Sequence, residues 1–394
     1  APGQRRAALV FILLASGLGI WAAALAGGGT GAAGRAGFSY DRAEVSTYLL
    51  PFGPPHLTLA LAALLAWGGS LARWTWRGER SSLAALAASV VAVGLLNPFT
   101  LATMVALSVG YALFRWVSGR TFPARETVAA ALVGAVGAPL FLANVMTFAL
   151  DPFWSVTYGQ QNTTGSPPLW TLAVDFGLLV PLAVAGCLDR KTPPERRTLI
   201  VFWVLGLLAL MYLPVPFQRR FGFGLQPALA LLAALGLGYL GDHLRKRRLF
   251  LLDAGLRVLV GVGLFAGTFM GYVLLIMAAG GIGPLGETIY EPRGNVAAAD
   301  WLASRSSPED VVLASVETSN YLGGRIRGRV VVAHGAGTLD FDAKQVRMRR
   351  FFDPATSSVE RREIARSERA TLVVLGERER SLGLAALGSE DGFT

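Results

Sequence analysis

The chain has a single cysteine, Cys187, three histidines, and 26 acidic residues against 36 basic ones in 394 positions. One thiol cannot build a disulfide framework, which excludes the small cross-linked secreted folds. Cys187 closes an apolar run and reads as a small inert hydrophobe. His56, His243 and His334 lie far apart and near no cysteine, so no structural zinc motif is present. Charged residues are scarce, at 16%, while 53% of the chain is hydrophobic. That balance falls outside the range of soluble globular domains and points to a polytopic membrane protein. The net charge of +10 is carried largely by short loops between apolar runs. It therefore speaks for orientation in a bilayer and against nucleic acid as a partner.

What is abundant is apolar sequence. About nine runs suit membrane spans of a ~30 Å hydrocarbon core. They are Ala7–Ala26, Leu57–Ala72, Leu83–Leu96, Leu101–Phe114, Val128–Leu150, Leu169–Leu188, Leu199–Leu213, Leu225–Leu240 and Leu249–Ala279. The third and fourth are short, and Asn97-Pro98 between them predicts a tight turn or a re-entrant pair. Basic residues alternate between connections. Arg5 and Arg6 precede the first run, Arg73, Arg77 and Arg80 follow the second, and Arg115, Arg120 and Arg125 follow the fourth. Arg190, Lys191, Arg196 and Arg197 follow the sixth, and Arg245–Arg248 follow the eighth. The intervening connections carry only Arg35, Arg42, Arg219 and Arg220. The positive-inside rule then places the N-terminus in the cytoplasm and the C-terminal segment outside the plasma membrane.

Arg219 and Arg220 stand out because they lie on the side where arginine is rare. They occupy Leu213-Pro-Val-Pro-Phe-Gln-Arg-Arg-Phe-Gly-Phe-Gly224, a short turn ahead of a helix. Paired guanidinium forks next to the free N–H groups of a helix start suit a lipid-linked phosphate, with Gln218 beside them. The alternative is a pair of arginines snorkelling to the interface. In the external stretch Gly27–His56, Asp41 and Glu44 would share a helical face. They can act as a general base or hold a divalent metal ion with a phosphate, or else form an N-cap and capping box. His56 heads a span behind Pro54-Pro55 and can donate to a sugar or phosphate, or simply sit at the interface. Asp151–Pro168 is rich in amides and aromatics. Gln161 and Asn162 can bond sugar hydroxyls, while Trp154 and Tyr158 also fit an interfacial belt. In the last run, Asp253 and Arg257 are four apart on one helical face and read as an ion pair.

Beyond Gly283 the charges become dense and the apolar runs short. Helices are expected at Asn295–Ser304, Asp342–Phe352 and Val359–Arg369, and strands at Asp310–Ser315, Arg329–His334 and Thr371–Gly376. Alternating strands and helices predict a small α/β domain over 284–394, after a helical membrane domain over 1–283. His334-Gly-Ala-Gly337 follows an expected strand end, where α/β folds place ligands, but no dinucleotide fingerprint opens a helix there. His334 and Lys344, with Glu317 and Asn320, are candidate polar contacts or plain surface residues.

Several of these stretches, in order, resemble a family of bacterial polytopic proteins related to the GT-C glycosyltransferases. They are Ser16-Gly-Leu-Gly19, the acidic loop before Pro55-His56, Asn97-Pro98, Asp151-Pro152, Gln161-Asn162-x-Thr164-x-Ser-Pro167 and Leu213-Pro-x-Pro-x-Gln-Arg-Arg220. Ala299-Asp-Trp-Leu302, Glu317-Thr-Ser-Asn320 and His334-Gly-x-x-Thr338, with Lys344, continue the likeness. The resemblance implies a transferase that uses a polyprenyl-phosphate-linked sugar at the external membrane face. Arg219, Arg220 and Gln218 would hold the phosphate, with His56, Gln161, Asn162, His334 and Lys344 as further contacts. Asp41 or Glu44 would serve the acceptor hydroxyl. Such enzymes carry a key acid in their first external loop, so the chain is expected to begin partway through a longer protein. Two other classes stay open: a lipid-phosphate transporter, and a structural or sensory protein with a partner-binding external domain.

Overall fold

The computed structural model describes residues 2–15, 18, 21–22, 54–119, 121–159, 163–280, 291–335, 337–384 and 386–388. These fall into two compact units, one drawn from 1–147 and 163–273, the other from 148–162 and 274–394.

The first unit is helical. Its helices are α1 (Pro2–Leu14), α2 (Pro55–Arg77), α3 (Ser81–Leu96), α4 (Pro98–Gly119) and α5 (Ala124–Leu150). They continue with α6 (Leu169–Phe176), α7 (Leu179–Cys187), α8 (Pro194–Met211), α9 (Leu225–Lys246) and α10 (Phe250–Ala279). Local chemistry sets the ends. Proline opens α2, where a missing N–H costs nothing, and Gly78 closes it in the left-handed conformation at φ 70°. Asn97-Pro98 breaks α3 from α4, the proline ring barring continuation of the helix.

Among the described residues, five helices are long and apolar enough to cross a bilayer, or up to six if one bent pair counts as a single span. The chain is thus a helical protein of membrane-spanning character. The difference from about nine runs has local causes. The third run forms the 16-residue α3, too short to qualify, while the fourth lies in the longer 22-residue α4, which does. The sixth run, Leu169–Leu188, breaks into α6 and α7, bent by 96° at Gly177. The seventh lies in α8, whose first turn carries Glu195, Arg196 and Arg197. Only part of the first run, in α1, is described.

The core of this unit gathers around α9. Trp67 and Trp203 meet edge to face at 5.4 Å among Leu64, Met104, Leu207, Leu225 and Leu229. Buried Gln226 sends its amide to the carbonyls of Phe11 and Ala15, at 2.9 and 3.2 Å, satisfying acceptors at the end of α1. Large apolar side chains such as Leu95, Leu251 and Val262 face outward, as lipid contact requires. Asp253 pairs with Arg257 at 3.1 Å, as the spacing predicts, and also with Arg245 at 2.8 Å.

The second unit holds a three-stranded parallel sheet in the order β2-β1-β3, from β1 (Val311–Leu313), β2 (Arg329–Val330) and β3 (Leu372–Val373). Val312 aligns with both Val330 and Leu372. Its helices are α11 (Arg293–Arg305), α12 (Val316–Leu322), α13 (Phe341–Phe352), α14 (Ser358–Ser367) and α15 (Glu377–Ser381). The period-two rule sorts the core. Leu313 packs with Val332, Met348, Phe351, Phe352 and Ile364, while Val312 and Ala314 pack with Ala299, Leu302 and Leu322. Both faces of the central strand are covered, as parallel sheets need.

Candidate functional site

Three stretches of the first unit, distant in sequence, meet at the turn that bears Arg219 and Arg220. Helix α8 stops at Met211 because Pro214 and Pro216 cannot extend it. The chain then makes a 3-10 turn, Gln218–Gly222, with Arg220 N donating to Phe217 O at 3.0 Å. Gly224, at φ 96°, swings it into α9. A side chain there would be strained and would strike Leu64 Cδ2 at 2.5 Å.

The second stretch is 163–168. Thr164 N donates to Pro216 O at 2.6 Å, and Arg219 N donates to Thr164 O at 3.2 Å, so the two loops hold each other like a short ladder. Tyr212 Oη donates to Pro167 O at 2.6 Å, and Ser166 Oγ donates to Met211 O. Thr164 Oγ1 is enclosed here with no hydrogen-bond partner among the described residues.

The third stretch is the Asn97-Pro98 break. It puts Phe99 in the first turn of α4, and the Arg220 guanidinium lies over that ring at 4.8 Å. Phe99 in turn meets Phe217 at 5.0 Å, and Phe217 meets Phe221 at 5.8 Å. A cation over an aromatic face is worth about 0.5–2 kcal/mol, enough to fix the orientation of a half-buried arginine. Phe99 was not among the residues expected from the sequence. Its only signal is adjacency to the Asn97-Pro98 break.

The other expected residues are distributed as follows. In the amide orientation that satisfies both partners, Gln218 donates to Met211 O and Leu213 O at 3.2 and 3.0 Å. Its amide nitrogen therefore closes the end of α8. His56 is exposed in the first turn of α2. His334 and Lys344 belong to the second unit: His334 is exposed in a turn where Gly337 N donates to its carbonyl at 2.9 Å, and Lys344 is half-buried on α13. Asp41, Glu44, Gln161 and Asn162 lie outside the described residues. Among the described residues no group of three His, Cys, Asp or Glu is placed to hold a metal ion.

The second unit also contains a polar cluster that sequence reasoning missed, at the carboxyl ends of β1 and β3. Fully buried Glu379 accepts from Ser315 N at 2.8 Å and Gly376 N at 3.0 Å. Asn295 donates to Thr318 Oγ1 at 3.1 Å and to Glu291 at 2.7 Å, and Arg378 holds Glu291 at 2.8 Å. The signals were present as Ser315-x-x-Thr318 and Gly376-x-x-Glu379, capping patterns too short to be read alone. This network fastens helix starts to strand ends.

Compared with protein-family models and with curated protein sequences, the chain matches none.

Proposed function

We propose that this chain is a membrane glycosyltransferase of the GT-C type that takes its sugar from a polyprenyl-phosphate donor at the external face of the plasma membrane. The observation that carries the reading is the meeting of Asn97-Pro98-Phe99, Thr164–Pro167 and Gln218–Arg220 at one turn. These are three of the stretches on which the resemblance rests, and the folded chain joins them at the turn that bears Arg219 and Arg220. The proposal keeps about nine spans, a cytoplasmic N-terminus and an extracytoplasmic α/β domain over 284–394.

In this mechanism the acceptor oxygen attacks the anomeric carbon while the bond from that carbon to the phosphate oxygen breaks. The bonding pair leaves with the phosphate, and the acceptor proton passes to a carboxylate, for which Asp41 and Glu44 are this chain's own candidates. Arg219 and Arg220 meet the growing negative charge on the phosphate. Arg220 stays in place because Phe99 supports it, so little reorganisation is needed as charge develops. The enclosed Thr164 hydroxyl, beside the Arg219 backbone, offers a further donor to the same anion.

The test is transfer from a panel of polyprenyl-phosphate hexoses and pentoses in membranes containing the full chain. Replacing both arginines with alanine is expected to lower turnover by roughly 10²–10³-fold, the scale of losing preorganised charge stabilisation. Full turnover in that double variant, with the protein folded, overturns the assignment.

A further inference from the structure

At the opposite end of α9 the first unit forms a half-open cavity of about 530 Å³. Its wall is formed by Cys187–Lys191, Arg197 on α8, and Tyr239, Asp242, His243 and Lys246 on the last turns of α9. The volume falls within the range of small-ligand sites. Four basic side chains, Arg190, Lys191, Arg197 and Lys246, face two carboxylates, Asp189 and Asp242.

Those carboxylates are already engaged. Asp189 is buried and accepts from Lys191 N at 3.0 Å and Thr192 Oγ1 at 2.7 Å, which shapes the turn. Asp242 is shared between Lys191 and Arg245. Arg197 donates to the Asp189 carbonyl. Among the described residues, Arg190, Arg197 and Lys246 have no carboxylate partner. The cavity therefore keeps a surplus of positive charge in a half-enclosed space where Coulomb attraction exceeds that in bulk water. Val184 and Leu188, four apart and exposed, run an apolar strip along α7 to its rim.

We infer that this cavity binds a phosphate-bearing anion, with Arg190, Arg197 and Lys246 as its principal ligands. Two sources share that chemistry: the headgroup of an anionic phospholipid, whose chains would lie along Val184 and Leu188, and a soluble phosphate. The site is separate from the Arg219–Arg220 turn and does not depend on its role. Basic pockets between membrane helices bind anionic headgroups by this same surplus of charge.

The experiment is native mass spectrometry of the full chain released from detergent with phosphatidylglycerol or phosphatidylcholine in equal amounts. Retention of phosphatidylglycerol is expected to exceed that of phosphatidylcholine about tenfold, and Arg190→Ala with Lys246→Ala to erase the preference. Asp242→Asn, which adds net positive charge, is expected to strengthen it. Arg349→Ala with Arg366→Ala, exposed positions in the second unit, should leave it unchanged. Displacement of the lipid by millimolar glycerol phosphate identifies the soluble anion as a ligand of the site, and resistance to it identifies the lipid. Unfolding temperatures are read alongside, with Lys246→Gln as the milder variant. Equal retention of the two lipids by the parent chain, with no adduct of glycerol phosphate, overturns the inference. So does a preference that survives removal of both cations in a folded protein.

Discussion

Gly236→Ala tests the seam on which the first unit is built. Helices α7 and α9 approach so closely that a methyl group at Gly236 would stand 1.8 Å from Leu182 O and 2.8 Å from Gly186 N. Gly186 faces the reverse case, with Leu232 O at 2.1 Å. The obstructing atoms are backbone, so no rotamer change relieves them. Moving from 1.8 Å to an ordinary contact of 3.4 Å requires the helices to part by about 1.6 Å, which strips packing along the whole pair. Overpacking commonly costs about 1–3 kcal/mol, and a backbone-to-backbone clash belongs at or above the top of that range. For a unit of this size, the apparent unfolding temperature should fall by roughly 5 °C or more. The assay is tryptophan fluorescence on heating the detergent-solubilised full chain, with Gly261→Ala as the internal standard. A methyl group at Gly261 on α10 meets nothing within 4 Å, so alanine there should be neutral or slightly stabilising through helix propensity. If Gly236→Ala melts within about 1 °C of the parent, the close approach does not support the fold and the reasoning fails.

Cys187 is exposed and is the sole cysteine, so a membrane-impermeant maleimide should label it in inverted vesicles and spare it in intact cells. Labelling of intact cells would reverse the orientation drawn from the positive-inside rule. Glu379→Ala leaves the buried N–H of Ser315 and the half-buried N–H of Gly376 without their acceptor, and should destabilise the second unit by about 2–4 kcal/mol in a urea-proteolysis assay. Exposed Glu377→Ala should stay within about 0.5 kcal/mol. Hydrogen bonds from Ser307 N at 2.7 Å and Thr371 Oγ1 at 3.1 Å hold the Asp310 carboxyl below its ordinary value. A depressed folded value contributes stability at neutral pH that is lost as pH falls below about 4, toward and through the folded value. Asp310→Asn should therefore be less stable than the parent at neutral pH and lose less on acidification. A parallel pH profile for the two proteins would remove Asp310 from the account.

Apolar runs located most helices because a helix that meets lipid or core must be apolar over its length. Their ends were harder to read. Leu169–Leu188 is apolar apart from Thr171 and Asp175, yet Gly177 turns the chain by 96°, and hydropathy carries no information about φ and ψ. The pairing of Asp253 with Arg257 was legible because both lie on one helix at a fixed spacing, whereas Arg245 joins it from α9 and could not be placed. The same distinction holds at the candidate site. Arg219 and Arg220 were conspicuous as charges on a side poor in them. Phe99 and Thr164 became their neighbours only through tertiary packing, and a phenylalanine in an apolar run looks like any other. In the second unit, helices α11, α13 and α14 lie within two residues of expectation, since their amphipathic faces repeat. The helix starts around Glu379 depend on single hydrogen bonds, and no periodic pattern reports those.

Helix α9 explains why two charged regions can sit at the ends of so apolar a unit. It is the most enclosed of the candidate spans, with 67% of its apolar window buried against 17% for α5. An element so largely enclosed has little freedom to tilt a polar group toward water, so its charged ends must be held where they lie. At the carboxyl end of α9, Asp242 and Asp253 bracket Arg245, while the neighbouring Lys246 keeps its charge toward the cavity. At the Arg220 end an aromatic ring, Phe99, lies against the guanidinium and helps to orient it. If the Arg220 guanidinium that Phe99 orients takes the donor phosphate as proposed above, Phe99→Leu should weaken retention of a polyprenyl-phosphate donor in native mass spectrometry while Phe99→Tyr preserves it.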